Sequence, residues 1–163
     1  MSSLTPMTAL VVVAAVILLI AIMAFLRRHA RPSIPVVQRA VLTNAEIAFH
    51  RKLAQAVDRI GGLSLHAQMA MSAFLQPRPG LERGEHMATF RRFSQKRPDF
   101  VLVDSSWRVR LIVELDDSSH DAAKDADRDR LTAAAGLVTV RFPGSRKITV
   151  DEIHNRLQDA LRG

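Results

Sequence analysis

Cysteine is absent from the 163-residue chain, which excludes disulfide bonds and thiolate metal sites and fits a reducing compartment. Internal repeats and low-complexity tracts are also lacking. The chain is too short for two domains, but it has room for one domain and an anchor.

Charge is missing from the first part of the chain. Lys and Arg do not occur in residues 1–8, and residues 9–26 form an uncharged apolar run of 18 residues. At about 1.5 Å per residue a helix over this run is roughly 27 Å long, close to the hydrocarbon thickness of a bilayer. A helix is required, because backbone groups in lipid find no water partners. The run therefore predicts a transmembrane helix.

The flanks of this run predict its orientation. Arg27, Arg28, His29 and Arg31 follow it at once, and positive flanks stay on the cytoplasmic side. The prediction is a single-pass protein of the inner or plasma membrane, with a short extracytoplasmic N-terminus and a cytoplasmic C-terminal domain. A cleaved signal peptide is the competing interpretation, but the basic n-region is missing and charge stands where a small-residue cleavage site belongs.

The formal net charge of +7 is unevenly distributed. Four arginines and no acid lie in residues 27–39, so residues 40–163 carry 19 basic and 16 acidic groups. That mild excess permits nucleic-acid binding without arguing strongly for it. The basic residues of 78–97 indicate a solvated loop first and a nucleic-acid contact second. Trp107, near a predicted turn, indicates packing rather than base stacking.

After the apolar run, residues 27–42 read as a basic, proline-containing linker, and residues 43–163 as one α/β domain. Capping-box spacing at Thr43 and Glu46 marks the first helix of that domain. The predicted elements, in order, are helix 44–60, a strand near 63–70, an exposed loop 75–97 with a short helix around 85–94, a hairpin of strands 99–104 and 107–115, helix 118–135, strand 137–142 and helix 149–161. The strand–helix–strand unit at 109–142 predicts a right-handed parallel crossover.

Three acids of the hairpin are the candidate chemistry. Glu114 and Asp116 share one face of their strand, because side chains alternate. A turn at 105–107 places Asp99 across from Val113 or Glu114. Clustered carboxylates repel one another, and a divalent cation would offset this, with oxygen ligands favouring Mg²⁺ or Mn²⁺ over zinc. The alternative is a frayed hairpin end with solvated acids.

Four segments carry a resemblance to a known superfamily: PDFVLVD at 98–104, LIVELDDSSH at 111–120, DADRDRL at 125–131 and VTVRF at 138–142. Together they resemble the restriction-endonuclease-like, or PD-(D/E)XK, superfamily, in the branch that includes the very-short-patch-repair endonucleases. The likeness is greatest to a bacterial family of unknown function that often carries an N-terminal membrane segment. It covers about residues 42–160 and implies an αβββαβ core, here with a further C-terminal helix.

The resemblance implies a role for each matching residue. Asp99 matches a metal ligand, Glu114 matches the acid of the (D/E)XK element, and Asp116 stands where that element usually has lysine. His120 matches a histidine suited to proton transfer or phosphate contact. The remaining matches are Arg128 and Arg141, for the scissile phosphate or structural pairing, and Glu46, a further candidate metal ligand that equally fits the capping box.

Two departures from the superfamily pattern stand out. The usual lysine is absent, so His120, Lys124 or a water is left as general base. The cysteine zinc site of some relatives is also absent. The leading expectation is a membrane-tethered, Mg²⁺-dependent nuclease or phosphodiesterase. The alternatives are a catalytically inactive module that binds nucleic acid or a protein partner at the membrane, and a domain that serves an envelope complex.

Overall fold

The computed structural model describes residues 6–29, 34–116, 129–144 and 147–163, and the chain divides into two units, Met1–Arg39 and Ala40–Gly163. The first unit contains helix α1, Pro6–His29. Its segment Met7–Arg27 is long and apolar enough to cross a membrane, by length and composition. The helix therefore contains the predicted span and extends it by a few residues at each end.

The second unit is a mixed α/β domain, as predicted. Its elements are helix α2 (Asn44–Ile60), strand β1 (Leu63–Ala67), a 3₁₀ turn (Met71–Ala73), helix α3 (Arg83–Phe93), strands β2 (Phe100–Asp104), β3 (Val109–Asp116) and β4 (Val138–Pro143), and helix α4 (Val150–Arg162). Residues 129–134 are also helical, and they are the described part of the predicted helix 118–135.

The four strands form one sheet in the order β1-β2-β3-β4. Strand β2 pairs antiparallel with both β1 and β3, which confirms the predicted hairpin. Strand β3 pairs in parallel with β4, which confirms the predicted direction of the last strand. One end of the sheet therefore gathers the start of β2 and the ends of β1, β3 and β4.

Helix α2 begins and ends where local signals place it. The Thr43 hydroxyl accepts from the Glu46 backbone N–H, and the Glu46 carboxylate accepts from the Thr43 backbone N–H. This reciprocal box satisfies two otherwise unpaired donors. Gly61 ends the helix with a φ of +76°, which L-residues with a side chain rarely adopt.

The core lies between one face of the sheet and helices α2 and α4. Leu111 and Val113 of β3 point into it, and Phe142 of β4 joins them. Each such buried side chain contributes about 1.5–3 kcal/mol relative to an exposed one. A one-residue slip of β3 would bury Glu114 in this core, so the apolar face fixes the direction of that carboxylate.

The helical segment 129–134 contacts the opposite face of the sheet at β4. The Thr132 and Thr139 hydroxyls lie 3.3 Å apart across that contact. Met71 and Phe93 are buried. The predicted short helix around 85–94 is present as α3, but the prediction of an exposed loop over 75–97 is wrong at Pro77 and Phe93, which are buried.

Candidate functional site

Three candidate residues lie at the end of the sheet where β3 terminates, here called the carboxylate end: Asp99, just before β2, and Glu114 and Asp116 of β3. Phe100 pairs with Val113. Continuing this antiparallel register by one residue places Asp99 opposite Glu114. Of the two predicted partners, Val113 and Glu114, the register selects Glu114.

The Asp99 carboxylate lies against strand β3. Its Oδ2 accepts a hydrogen bond of 2.9 Å from the Leu115 backbone N–H. Its backbone carbonyl accepts one of 3.0 Å from the Gln68 N–H. The side chain is therefore held beside the peptide that joins Glu114 to Leu115, and it is only partly exposed.

Glu114 is buried, with 3% of its surface exposed. In the parallel register it lies beside Arg141 of β4. Taking a carboxylate out of water is costly unless it is paired, and Arg141 supplies the positive charge. Glu114 is therefore a buried acid beside a positive charge, and it is not a solvated acid at a frayed strand end.

Arg141 joins acids from two further elements. It lies 3.4 Å from Asp116 and 2.6 Å from Asp129, and its side chain is 24% exposed. Burial alone would lower the pKa of Arg141, but the hydrogen bond and charge of Asp129 raise it, with support from Asp116 and Glu114, so that the pKa lies above its usual value. The guanidinium therefore stays charged and is paired with Asp116 and Asp129.

Glu46 and Gln68 extend the site toward helix α2. Gln68 Nε2 donates to Glu46 Oε1 at 3.3 Å, while the other Glu46 oxygen accepts from the capping box. The capping role weighed for Glu46 is thus present. Since the Gln68 backbone also donates to Asp99, this glutamine links the helix start to the carboxylate end.

Two of these residues were not foreseen as site residues. Gln68 follows a strand with no motif around it, and its φ of +54° leaves no trace in the sequence. Asp129 lies in the segment DADRDRL, where the resemblance assigns it no role. The one signal that pointed toward it was Arg141, because an arginine in an apolar strand needs an acidic partner.

The candidates His120, Lys124 and Arg128 lie outside the described residues. Within the described ranges, no group of three or more His, Asp or Glu side chains is arranged to hold a metal ion. Mg²⁺ typically needs only one or two carboxylates and completes its shell with waters and substrate phosphates. The Asp99–Glu114 pair meets that smaller requirement in donor chemistry.

An apolar cleft of about 280 Å³ lies beside this end of the sheet, between helix α2 and the end of β3. Phe49 and Leu115 form part of its wall, and Lys52 borders it. The Lys52 ammonium donates to the Ile148 carbonyl at 2.7 Å. The cleft thus brings a cation near the strand that carries Glu114 and Asp116.

Residues 38–161 match a family model described as "Protein of unknown function (DUF2726)". No curated protein matches the chain, and no solved structure does. The matched region spans nearly all of the second unit and all elements of the carboxylate end. The resemblance to the PD-(D/E)XK superfamily stays a prediction.

Proposed function

Because the chain belongs to the DUF2726 family of unknown function, we propose a function from the site itself: a membrane-tethered, divalent-metal-dependent phosphodiesterase that cleaves nucleic acid. One observation carries this proposal. The Asp99 carboxylate is hydrogen-bonded to β3 at Leu115, and Asp99 lies by register opposite Glu114, which is buried. Two acids held together in a partly buried place are a costly arrangement that a cation would relieve.

In this proposal Asp99 and Glu114 hold Mg²⁺ or Mn²⁺, with Asp116 as a further ligand. The Gln68 bridge to Glu46 positions the Asp99 backbone. A bound divalent ion supplies two kinds of chemistry, polarisation of a phosphoryl oxygen and a lowered pKa of a bound water. Oxygen-only donors fit hard cations of this kind.

The remaining residues have proposed roles around the phosphate. Arg141 is held by Asp116 and Asp129 and contributes positive charge at the end of β4. His120, or else Lys124 or a water, moves the proton, and Arg128 contacts phosphate. Helix α1 anchors the domain, which lies on the cytoplasmic side by the positive-inside rule.

The direct test is cleavage by the full chain, purified in detergent, of single- and double-stranded DNA and RNA with Mg²⁺ or Mn²⁺. We expect Asp99→Asn and Glu114→Gln to reduce the rate by about 100-fold or more, because each factor of ten corresponds to about 1.4 kcal/mol and the metal supplies several. The exposed Asp58→Asn on α2 is the matched control. The absence of cleavage of all four substrates, or full activity in Asp99→Asn, would count decisively against the proposal.

A metal-binding measurement separates loss of metal from loss of chemistry. Saturating Mg²⁺ should raise the melting temperature of the wild-type chain, because a ligand that binds only the folded state stabilises it. The rise should vanish in Glu114→Gln and persist in Asp58→Asn. An equal rise in all three proteins would place the metal elsewhere.

A second candidate is a non-catalytic module that binds nucleic acid or a protein partner at the membrane. The specific observation in its favour is Asp116, which stands where the superfamily usually has lysine and is paired with Arg141. This candidate predicts nucleic-acid binding whose affinity falls steeply with salt, without turnover in Mg²⁺. An affinity that does not change with salt concentration would exclude phosphate contacts.

A further inference from the structure

The turn between β2 and β3 presents the single tryptophan of the chain to solvent. Trp107 is 76% exposed, so the prediction that it packs is wrong apart from one ring contact. Its φ is +59°, a left-handed conformation that is rare for a bulky residue and costs free energy. Strain of this kind persists where the surrounding structure enforces it.

Asp104 enforces this turn. Its Oδ1 accepts from the backbone N–H groups of Ser106 and Arg108 at 2.9 and 3.0 Å, and its carbonyl accepts from Trp107 at 2.9 Å. The Arg108 hydrogen bond in particular holds the pKa of Asp104 below its usual value, with further help from Ser106 and Arg110. The indole is therefore presented on a preorganised loop.

Trp107 walls a shallow cleft of about 320 Å³ at the β1–β2 end opposite the carboxylate end. Gly62, Ser64 and Asp104 also line it. The His66 ring lies 5.8 Å from the indole ring, and the Ser64 hydroxyl lies 3.0 Å from His66 Nε2. An aromatic wall beside hydroxyl, imidazole and carboxylate groups suits a planar heterocycle with polar edges.

The surroundings of Trp107 favour one planar ring over a broad apolar partner. Ser105, Ser106 and Arg108, its neighbours on the turn, are exposed and polar. The other exposed large apolar side chains in the described part of the second unit, Val41, Ile47, Met87 and Val138, lie on other elements. Docking into a bilayer or onto a protein would use several adjoining apolar side chains.

We propose that the Trp107 cleft binds an unpaired nucleobase of single-stranded nucleic acid, with Arg108 and Arg110 beside the neighbouring phosphates. Base–aromatic stacking needs a base whose face is free, and this favours single strands over duplexes. The proposal deepens the proposed function, on which it rests for the identity of the polymer. Asp99 and Asp104 are separated by about 17 Å along β2, so one short oligonucleotide can reach both the Trp107 cleft and the carboxylate end.

The test uses the intrinsic fluorescence of the full chain in detergent with EDTA. The chain has one tryptophan and no tyrosine, so Trp107 alone gives the signal. A 12-nucleotide oligothymidine should quench it saturably, and a duplex of the same length should not. By fluorescence polarisation, Trp107→Ala should weaken binding about tenfold, whereas Met87→Ala should not change it.

Trp107→Gly guards against misfolding, because glycine accepts the left-handed backbone without strain. We expect it to weaken oligothymidine binding as much as Trp107→Ala while keeping or raising the melting temperature. Unchanged affinity in both variants overturns the inference. So does a blue shift with anionic phospholipid vesicles and no quenching by oligothymidine, which would assign the turn to a lipid surface.

The two proposals fail separately. Binding is measured in EDTA, which removes divalent ions, so it does not depend on a metal at the carboxylate end. A chain that binds through Trp107 but never cleaves retains this inference and contradicts the proposed function. If the chain cleaves nucleic acid and Trp107→Gly keeps the wild-type rate and affinity, the proposed function is retained and this inference is contradicted.

Discussion

Arg141 compensates more than one acid at once, because Asp116 and Asp129 contact it and Glu114 lies beside it in the sheet. We expect Arg141→Met to reduce the free energy of unfolding by about 2 kcal/mol, since removing one partner leaves a buried charge uncompensated. Urea denaturation measures the effect. Arg51→Met, at an exposed position of α2, is the control, and equal losses in the two variants would contradict the pairing role.

Asp104 gives a prediction with a defined pH dependence. Its pKa is lowered in the folded protein from an ordinary 3.8, chiefly by the Arg108 hydrogen bond. A lowered folded-state pKa stabilises the fold above the unfolded value and loses that effect as pH falls through the folded value. Thermal melts of wild type and Asp104→Ala should therefore differ clearly at pH 7 and converge as pH falls below 3.8. A difference that is constant with pH would exclude the ionised carboxylate as its cause.

At the scale of single residues, the sequence predicted some contacts and missed others. Strand alternation and a short turn, which are local rules, limited the partner of Asp99 to Val113 or Glu114, and the observed register selects Glu114. Gln68 and Asp129 were missed because their partners are set by packing between distant segments. The exposed position of Trp107 was not predicted, because it depends on the hydrogen bonds of Asp104 across the turn, which no sequence pattern marks.

The start of helix α2 supports a prediction for a whole element. Thr43→Ala removes the hydroxyl that accepts from Glu46, and we expect a loss of about 1 kcal/mol in the free energy of unfolding. Thr43→Ser keeps the hydroxyl and should lose much less. Chemical denaturation checks both, and equal losses would show that the methyl group, rather than the cap, stabilises the helix.

The agreement between predicted and observed elements follows the strength of local signals. Helix α2 has the predicted bounds of 44–60, because the capping box and Gly61 mark both ends. Strand β1 was predicted near 63–70 but ends at Ala67, where Gln68 turns to positive φ. The inward position of Phe93 was not predicted, because a buried ring in a polar segment is not marked by an apolar periodicity.

For the whole molecule, helix α1 predicts membrane association. After alkaline carbonate washing, the full chain should stay with the membrane fraction, whereas residues 40–163 expressed alone should stay in the supernatant. Ile17→Lys places a charge at the centre of the apolar run, at a cost of about 2.5–3.5 kcal/mol for insertion, and should shift part of the chain to the supernatant. Full release of the wild-type chain would contradict an integral anchor.

The sidedness of the domain is a separate prediction at the same scale. When spheroplasts are treated with protease, the C-terminal domain should stay intact until the membrane is permeabilised, because positively charged flanks favour the cytoplasmic side. An epitope tag after Gly163 reports the outcome. Loss of the tag in unpermeabilised spheroplasts would reverse the assigned orientation.

The sequential strand order has a consequence for how the chain assembles at the ribosome. Each strand is synthesised after the strand with which it pairs, so the sheet can form in the order of synthesis. Helix α1 precedes all four strands and leaves the exit tunnel first. The apolar face of α2, however, packs against the last helix, α4, as well as against the sheet, so it is fully covered only after α4 has been synthesised. Nascent chains stalled before residue 150 should therefore be protease-sensitive. Addition of the thirteen residues of α4 would complete the folded domain.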